Sequence, residues 1–339
     1  MNRNNSDRTV EKKRIRFIRI YLILIILISL LFNGCGEKKA YRVGILCGLD
    51  YMSVVADGFK QKMTDLGYIE GKNIIYDVQR PKSYMEDIDR ISKKFVDDKV
   101  DLIFCFPTEA ALGAKKATEG TAIPVVFAVT NIEKTDIVQS IREPGGNITG
   151  VRYPGPDLAI KRFDIMQQLA PQAKRYLIPY NPDLPVCYPQ LEVLHPAAKK
   201  AGITLIEAKA HNAEEIGAFL KQRDEAPDFD AILFIAESLS VTPDAFLVMN
   251  KFAVKHRIPV GGALMATNGY SSIFGVNIKE NESGTLAATF ADKILKGTKA
   301  GTIPVVSDES YFELNYNEAK KLGLDVSEGL LTQANKVIR

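Results

Sequence analysis

The residues able to do chemistry are few, and their spacing favours binding over catalysis. Three histidines, His195, His211 and His256, lie far apart in stretches that read as helix or loop. That leaves no material for a Ser-His-Asp site or a histidine-built metal site. The cysteines Cys35, Cys47, Cys105 and Cys187 show no CxxC or Cys/His spacing, so no metal is expected. Gly44 and Gly48 in VGILCGLDY do not make G-x-G-x-x-G, and the P-loop, H-E-x-x-H and G-x-S-x-G patterns are missing too. No cofactor is expected. What remains are acids, amides and rings at the ends of apolar runs: Asp50 and Tyr51, Phe106 and Thr108, Thr130 and Asn131, Tyr180 and Asn181, Glu237 and Ser238, and Gly261. Asp50 or Glu237 suits an ammonium. Tyr51, Phe106 and Tyr180 suit a ring or an apolar group. Thr108 starts a helix, whose free N–H groups suit a carboxylate. Each has a competing structural role: Thr108 as a plain cap, Phe106 as core, Tyr180-Asn181-Pro182 as a turn, Asp50 as a solvated loop acid.

Those runs must be strands for this set to converge. From Tyr41 onward, short apolar runs alternate with amphipathic stretches. Strands are expected at Tyr41–Leu46, Ile74–Val78, Val100–Cys105 and Ile123–Val129. Helices fall between them: Val55, Phe59, Met63 and Leu66 at helical spacing, then Met85–Asp97 and Glu109–Thr118. Pro144-Gly145-Gly146 breaks the pattern, Asn147–Tyr153 is a short extended piece, and the alternation restarts. Ile160, Phe163, Met166 and Leu169 form a helix face. Strands follow at Arg175–Tyr180, Ile203–Ala208, Ala231–Ala236 and Ile258–Gly262, with helices Gln190–Ala201, Ala213–Arg223 and Pro243–His256. Extended pieces at Ser272–Asn277 and Ile303–Val306 flank a helix carrying Leu286, Phe290 and Ile294. Such alternation gives parallel sheets covered on both faces. The fold class is therefore α/β, with two Rossmann-like lobes. In open sheets of this kind ligands sit outside the carboxyl ends of the strands, where the acids, amides and rings lie.

The N-terminus has chemistry of its own. Of the 339 residues, the first 34 hold seven Lys/Arg and two acids, which leaves the rest at a net charge of −2. A near-neutral body gives no electrostatic reason to hold nucleic acid. Ile20–Phe32 is an apolar run of thirteen residues broken only by Ser29. As a helix it spans roughly 20 Å, short of the ~30 Å hydrocarbon core. A basic flank, a short apolar run and small residues make a secretory signal over 1–34. Leu31-Phe32-Asn33-Gly34-Cys35 resembles a bacterial lipobox, which implies cleavage before Cys35 and a lipid on it. The other reading is an uncleaved anchor; both place the body outside the cytoplasm, held to the membrane. Cys47 and Cys105 end hydrophobic runs and are expected as buried thiols, not as a bridge.

Several motifs stand in an order that carries a family. They are Leu66-Gly67-Tyr68-Ile69-Glu70-Gly71-Lys72-Asn73, Val100–Phe104, Ala117-Thr118 with Ile123-Pro124-Val125-Val126, and Pro144-Gly145-Gly146-Asn147-Ile148-Thr149-Gly150 followed by Lys161-Arg162. Ile294-Leu295-Lys296-Gly297 and Ala319–Leu324 complete the set. With them the chain resembles the solute-binding lipoproteins of ABC importers, in the group containing the tryptophan/tyrosine-type binding proteins. The resemblance implies a periplasmic-binding-protein type I fold with three hinge crossings, near Asn147–Tyr153, Ser272–Asn277 and Ile303–Leu314. Lobe 1 would comprise 41–150 plus roughly 278–303, and lobe 2 would comprise 151–277 plus roughly 304–339. It also implies a monomer that binds a small molecule and docks on an ABC permease with its ATPase. Two departures bear on the ligand. The loop Cys47–Ser53 is short and lacks the family's His-Pro pair, and Asn131-Ile132 replaces its Asp-Pro. A small zwitterion with an apolar or aromatic side chain is the expected ligand, and an organic acid the alternative. A ligand-presenting sensory receptor and an exported enzyme using Asp50 or Glu237 are the competing functions.

Overall fold

The computed structural model describes residues 40–48, 52–81, 84–263 and 265–339. Cys35, Asp50 and Tyr51 lie outside them. In chain order the first half runs β1 (Tyr41–Cys47), α1 (Ser53–Asp65), β2 (Ile74–Gln79), α2 (Tyr84–Asp97), β3 (Leu102–Phe106), α3 (Thr108–Ala117), β4 (Val125–Thr130) and β5 (Ile148–Arg152). The second continues with α4 (Gly155–Leu169), β6 (Arg175–Tyr180), α5 (Cys187–Ala201), β7 (Thr204–Lys209), α6 (Ala213–Lys221), β8 (Ala231–Leu233), α7 (Pro243–His256) and β9 (Val260–Gly262). After a small hairpin, β10 (Ala266–Thr267) and β11 (Tyr270–Ser271), come β12 (Phe274–Asn277), α8 (Glu280–Leu295), β13 (Val306–Ser307) and β14 (Tyr311–Asn315). The chain closes with α9 (Tyr316–Lys321), α10 (Glu328–Gln333) and β15 (Lys336–Ile338).

These strands make two large sheets. One has the order β13-β5-β4-β3-β1-β2 and is parallel throughout. The other has the order β15-β14-β12-β9-β8-β6-β7, parallel except where β12 meets β14. The chain passes from one sheet's lobe to the other between β5 and α4, between β12 and α8, and between β13 and β14. The expected α/β alternation is thus observed. The tail differs from the expected extended crossing: β13 still pairs with β5, whereas β14 turns antiparallel on β12 and carries β15 with it.

Strand alternation sends successive side chains to opposite faces. Val43, Ile45, Phe104 and Phe106 meet α1 and α8, while Leu46, Ile103, Val125 and Phe127 meet α2 and α3. The rings of Phe59 on α1 and Phe104 stack with centroids 4.1 Å apart. In the second lobe Tyr176, Ile178 and Leu233 pack under α4 and α5, and Leu177, Ile232 and Phe234 under α6 and α7. Cys47, Cys105 and Cys187 are all buried. Cys105 and Cys187 point Sγ at the carbonyls of Val126 (3.7 Å) and Asn181 (3.5 Å).

The run Ala231–Ala236 is strand only to Leu233. The buried Gln190 on α5 takes over both backbone groups of Ala236: its Nε2 donates to the carbonyl at 2.9 Å and its Oε1 accepts from the N–H at 2.8 Å. The chain leaves the ladder there and turns toward Glu237.

The pairing of α1 with α8 depends on two glycines. A Cβ at Gly284 would stand 1.9 Å from the Val55 carbonyl oxygen, and one at Gly58 would stand 2.1 Å from that of Asn281. Alanine would gain about 1 kcal/mol of helix propensity at either position, but the backbones would have to separate, at about 1–3 kcal/mol from overpacking plus lost contacts. Gly284→Ala and Gly58→Ala should therefore each show a net loss in denaturant unfolding. Gly217→Ala on α6 is the control, because its Cβ would meet only a methyl of Val248 at 3.4 Å. It should be neutral or slightly stabilising.

Candidate functional site

The loop after β4 reaches the second lobe. Asn131, just after β4, brings its Oδ1 to within 2.8 Å of where a Cβ on Gly155 would sit, at the start of α4. Lys134 in the same loop pairs with Glu192 of α5 at 2.5 Å. The approach is prepared by a break in β4. Pairing to β5 shifts between Phe127 and Thr130, and Val129 between them has φ +49°. A β-branched residue in that region is strained, and such strain gathers where a loop must be aimed.

The expected site residues separate into two groups. Phe106 is wholly buried against Phe104, and Thr130 is buried with its hydroxyl donating to the Ala128 carbonyl at 2.9 Å. Tyr180 is buried too and donates to Glu207 at 2.6 Å, so these two of the three rings expected to stack on a ligand are instead core. Gly261 sits under Phe274, whose ring would lie 2.2 Å from an added Cβ. Thr108 does not cap α3, whose N-cap is Pro107 with no side-chain bond. Its hydroxyl instead accepts from the Asn131 N–H at 3.0 Å. The first N–H groups of any helix lack intrahelical partners and carry its positive end. Glu237 is not poised for an ammonium. It is buried, and its carboxylate accepts from the N–H groups of Leu239 (2.7 Å), Ser240 (2.6 Å) and Asn181 (3.4 Å). Burial pushes its pKa up and these N–H bonds pull it back. It organises the loops after β6 and β8.

Asn181 and Ser238 form the other group. With His211, Asn212, Thr242 and Asp244 they line a cavity of about 480 Å³ where the loops after β6, β7 and β8 meet. The volume is in the range of small-molecule sites. His211 bonds Glu215 at 2.8 Å and lies 3.4 Å from Asp183, and the Glu215 bond holds its pKa above the ordinary value.

A residue outside the expected set ties the second sheet to two of the crossings. Arg162 on α4 is 2% exposed. Its Nε donates to the Val276 carbonyl at 2.9 Å, Nη1 to the Phe234 carbonyl at 3.4 Å, and Nη2 to Asn277 Oδ1 at 3.1 Å and the Tyr153 hydroxyl at 3.4 Å. Tyr153 lies in the first crossing and Asn277 opens the second. A second arginine, Arg152 at the end of β5, bonds Ser307 at 2.7 Å, Asp157 of α4 at 2.8 Å, and Glu133. The Lys161-Arg162 motif was the sequence signal for the first of these; nothing in the sequence marked Gln190 or Arg152.

Residues 43–338 match the family described as ABC transporter substrate binding protein. The chain belongs to that family. A relative, the tyrosine-binding protein of Clostridioides difficile (strain R20291), is 28% identical over 293 residues, which cover 85% of this chain and 82% of the relative. Two solved structures share the fold. The conserved domain protein of Vibrio cholerae superposes with TM-score 0.76 at 23% identity, covering 88% of this chain and all of that one. The ABC domain of Streptococcus pneumonia in complex with L-Trp gives 0.73 at 22% identity, covering 87% of this chain and all of that one. The fold of this substrate-binding protein is that of the type I periplasmic binding proteins.

Arg162→Met keeps the bulk and removes the donors. It would leave the Val276, Phe234 and Asn277 acceptors short of partners, at roughly 2–4 kcal/mol of unfolding free energy. Chemical denaturation should show that loss; a change under about 0.5 kcal/mol would mean that water replaces the guanidinium at little cost.

Proposed function

We propose that this protein is the lipid-anchored receptor of an ABC importer, closing two lobes on a small zwitterionic ligand without turning it over. Membership of the substrate-binding family over residues 43–338 carries this reading. Two lobes joined by three crossings, with loops at the carboxyl ends of their strands, support it. The lobes would move as rigid bodies about those crossings.

An amino acid with an aromatic or other apolar side chain fits best. The relative named for tyrosine binding supports that class. The start of α3 would offer N–H groups to a carboxylate. With Glu237 committed to backbone groups, Asp50 becomes the acid for the ammonium, and Tyr51 the ring for the side chain. Asn131 beside Thr108, and Asn181 with Ser238 across from them, supply the remaining polar contacts. The closed form would present a surface to the permease and its ATPase. Cys35 would carry the lipid that keeps the receptor outside the cytoplasm at the membrane.

A thermal-shift screen on protein stripped of ligand by partial unfolding tests the ligand class. A compound at 100 times its dissociation constant stabilises by about 2.7 kcal/mol. Tyrosine, tryptophan or another apolar amino acid should raise the midpoint, and Asp50→Asn should abolish the shift. Stabilisation by sugars or purines alone would refute the zwitterion while leaving the receptor intact.

The anchor is tested separately. Cys35→Ser should block lipid attachment and processing by the lipoprotein route. A mature protein of unchanged mass, still on the membrane in that variant, would remove the lipid from the account.

A further inference from the structure

The third crossing carries an acid that the functional reading does not use. Asp308 follows β13 directly, and its N–H donates to the Arg152 carbonyl at 3.1 Å. One carboxyl oxygen accepts from the Ser283 hydroxyl, in the first turn of α8, at 2.6 Å. The other, Oδ2, is buried with no hydrogen-bond partner among the described residues. A carboxylate in that position lacks half of the solvation it needs.

The groups around it supply more negative charge than positive. From α8 come Glu280 and Glu282, and both push the Asp308 pKa up. Glu280 is itself half-buried, with its pKa raised by burial. The Tyr153 hydroxyl of the first crossing feels both Asp308 and Glu280. Every nearby cation is engaged with another group: Lys279 bonds Glu282 at 2.9 Å, Lys161 bonds Ser310 at 2.8 Å, Arg152 bonds Ser307 at 2.7 Å, and Arg162 bonds Tyr153 and Asn277. The three crossings thus meet around acidic groups, one of which has a buried, unpaired oxygen.

We propose that Asp308 is a proton-operated catch on the hinge: protonated, it lets α8 and the third crossing pack as they do here, and ionised, it drives them apart and shifts the angle between the lobes. This rests on reading the crossings as a hinge, but not on the identity of the ligand. The physical requirement is that the two lobe arrangements differ in proton affinity, which follows if the burial of Asp308 depends on the hinge. Burial and the two glutamates carry its pKa from an ordinary 3.8 to about 7, against the pull of the Ser283 bond. The sign is then fixed. In this arrangement Asp308 binds its proton more tightly than it does when exposed. The arrangement therefore loses stability as pH rises from about 3.8, and the loss is complete above about 7.

The test uses ligand-free protein, with spin labels on Lys116→Cys in the first lobe and Lys251→Cys in the second, and distance distributions recorded between pH 5.5 and 8.5. The wild-type background should shift with pH near neutrality. The Asp308→Asn background should stay at the low-pH distribution throughout, and its thermal midpoint should exceed that of wild type only at the high-pH end. Two further variants keep the test decisive if Asp308→Asn folds poorly. Glu280→Gln makes ionised Asp308 easier to hold, so the shift should weaken and move to higher pH; Ser283→Ala removes the donor that stabilises the carboxylate, so the shift should move to lower pH. A distribution unchanged with pH, a shift that persists in Asp308→Asn, or a midpoint that ignores both second-site variants would each overturn the proposal. Because no ligand is present, none of these outcomes depends on the ligand class.

Discussion

One guanidinium holds the centre of this molecule. Arg162 is surrounded by carbonyl oxygens and polar oxygens from the ends of β8 and β12 and from the first crossing. Among the described residues no carboxylate makes a direct bond to it, so its charge is spread over dipoles that the second sheet and the crossings supply. Such a group is costly to bury and is tolerated only when its donors are met. The geometry of the crossings follows from that need. Tyr153 and Asn277 must keep their positions relative to Phe234 or a buried donor is lost. The strip that joins the lobes is thus held in place at its second-sheet end.

The strand ends facing the cleft follow a related logic. Their buried polar groups are largely occupied with backbone: Glu237 by three N–H groups, Gln190 by both groups of Ala236, Thr108 by the N–H of Asn131. These bonds set loop shape before any ligand arrives, and preorganised loops lose less on binding. Beside the cavity stand Asn181, whose Oδ1 accepts from the Asp183 N–H at 3.0 Å, and Ser238. The strained Val129 belongs to the same edge, at the point where β4 must bend to bring Asn131 against α4.

The lobes were readable from sequence because their strands are buried on both faces and announce themselves as unbroken apolar runs, as at Val125–Thr130. The helix Pro243–His256 was legible to the residue, since proline opens it and Arg257 in the left-handed region closes it. The tail was not. Tyr311–Asn315 alternates buried and half-buried positions, and its antiparallel place beside β12 is fixed by long-range pairing that no local pattern encodes. The site was legible at the level of loops but not of side chains. Phe106 and Tyr180 stand at strand ends yet point into the core, and a one-residue difference in pleat decides between core and cleft. Arg162 was marked only as part of a motif; its role needs the carbonyl partners that the fold brings to it.

The interleaving of the two lobes has a consequence for how the chain comes to be folded. The first sheet and α1 are made from residues before 153, but α1 packs on α8 at 280–295, and the sheet's last strand is 306–307. The groove between Gly58 and Gly284 admits only a bare helix backbone, so nothing encoded earlier in the chain can fill it. A nascent chain leaving the ribosome therefore cannot finish its first lobe until nearly all of the second has emerged. Contacts that span more than two hundred residues close slowly. For a polypeptide that must cross a membrane before it works, this delay is useful: the half made first stays incomplete, and so threadable, until the half made last arrives.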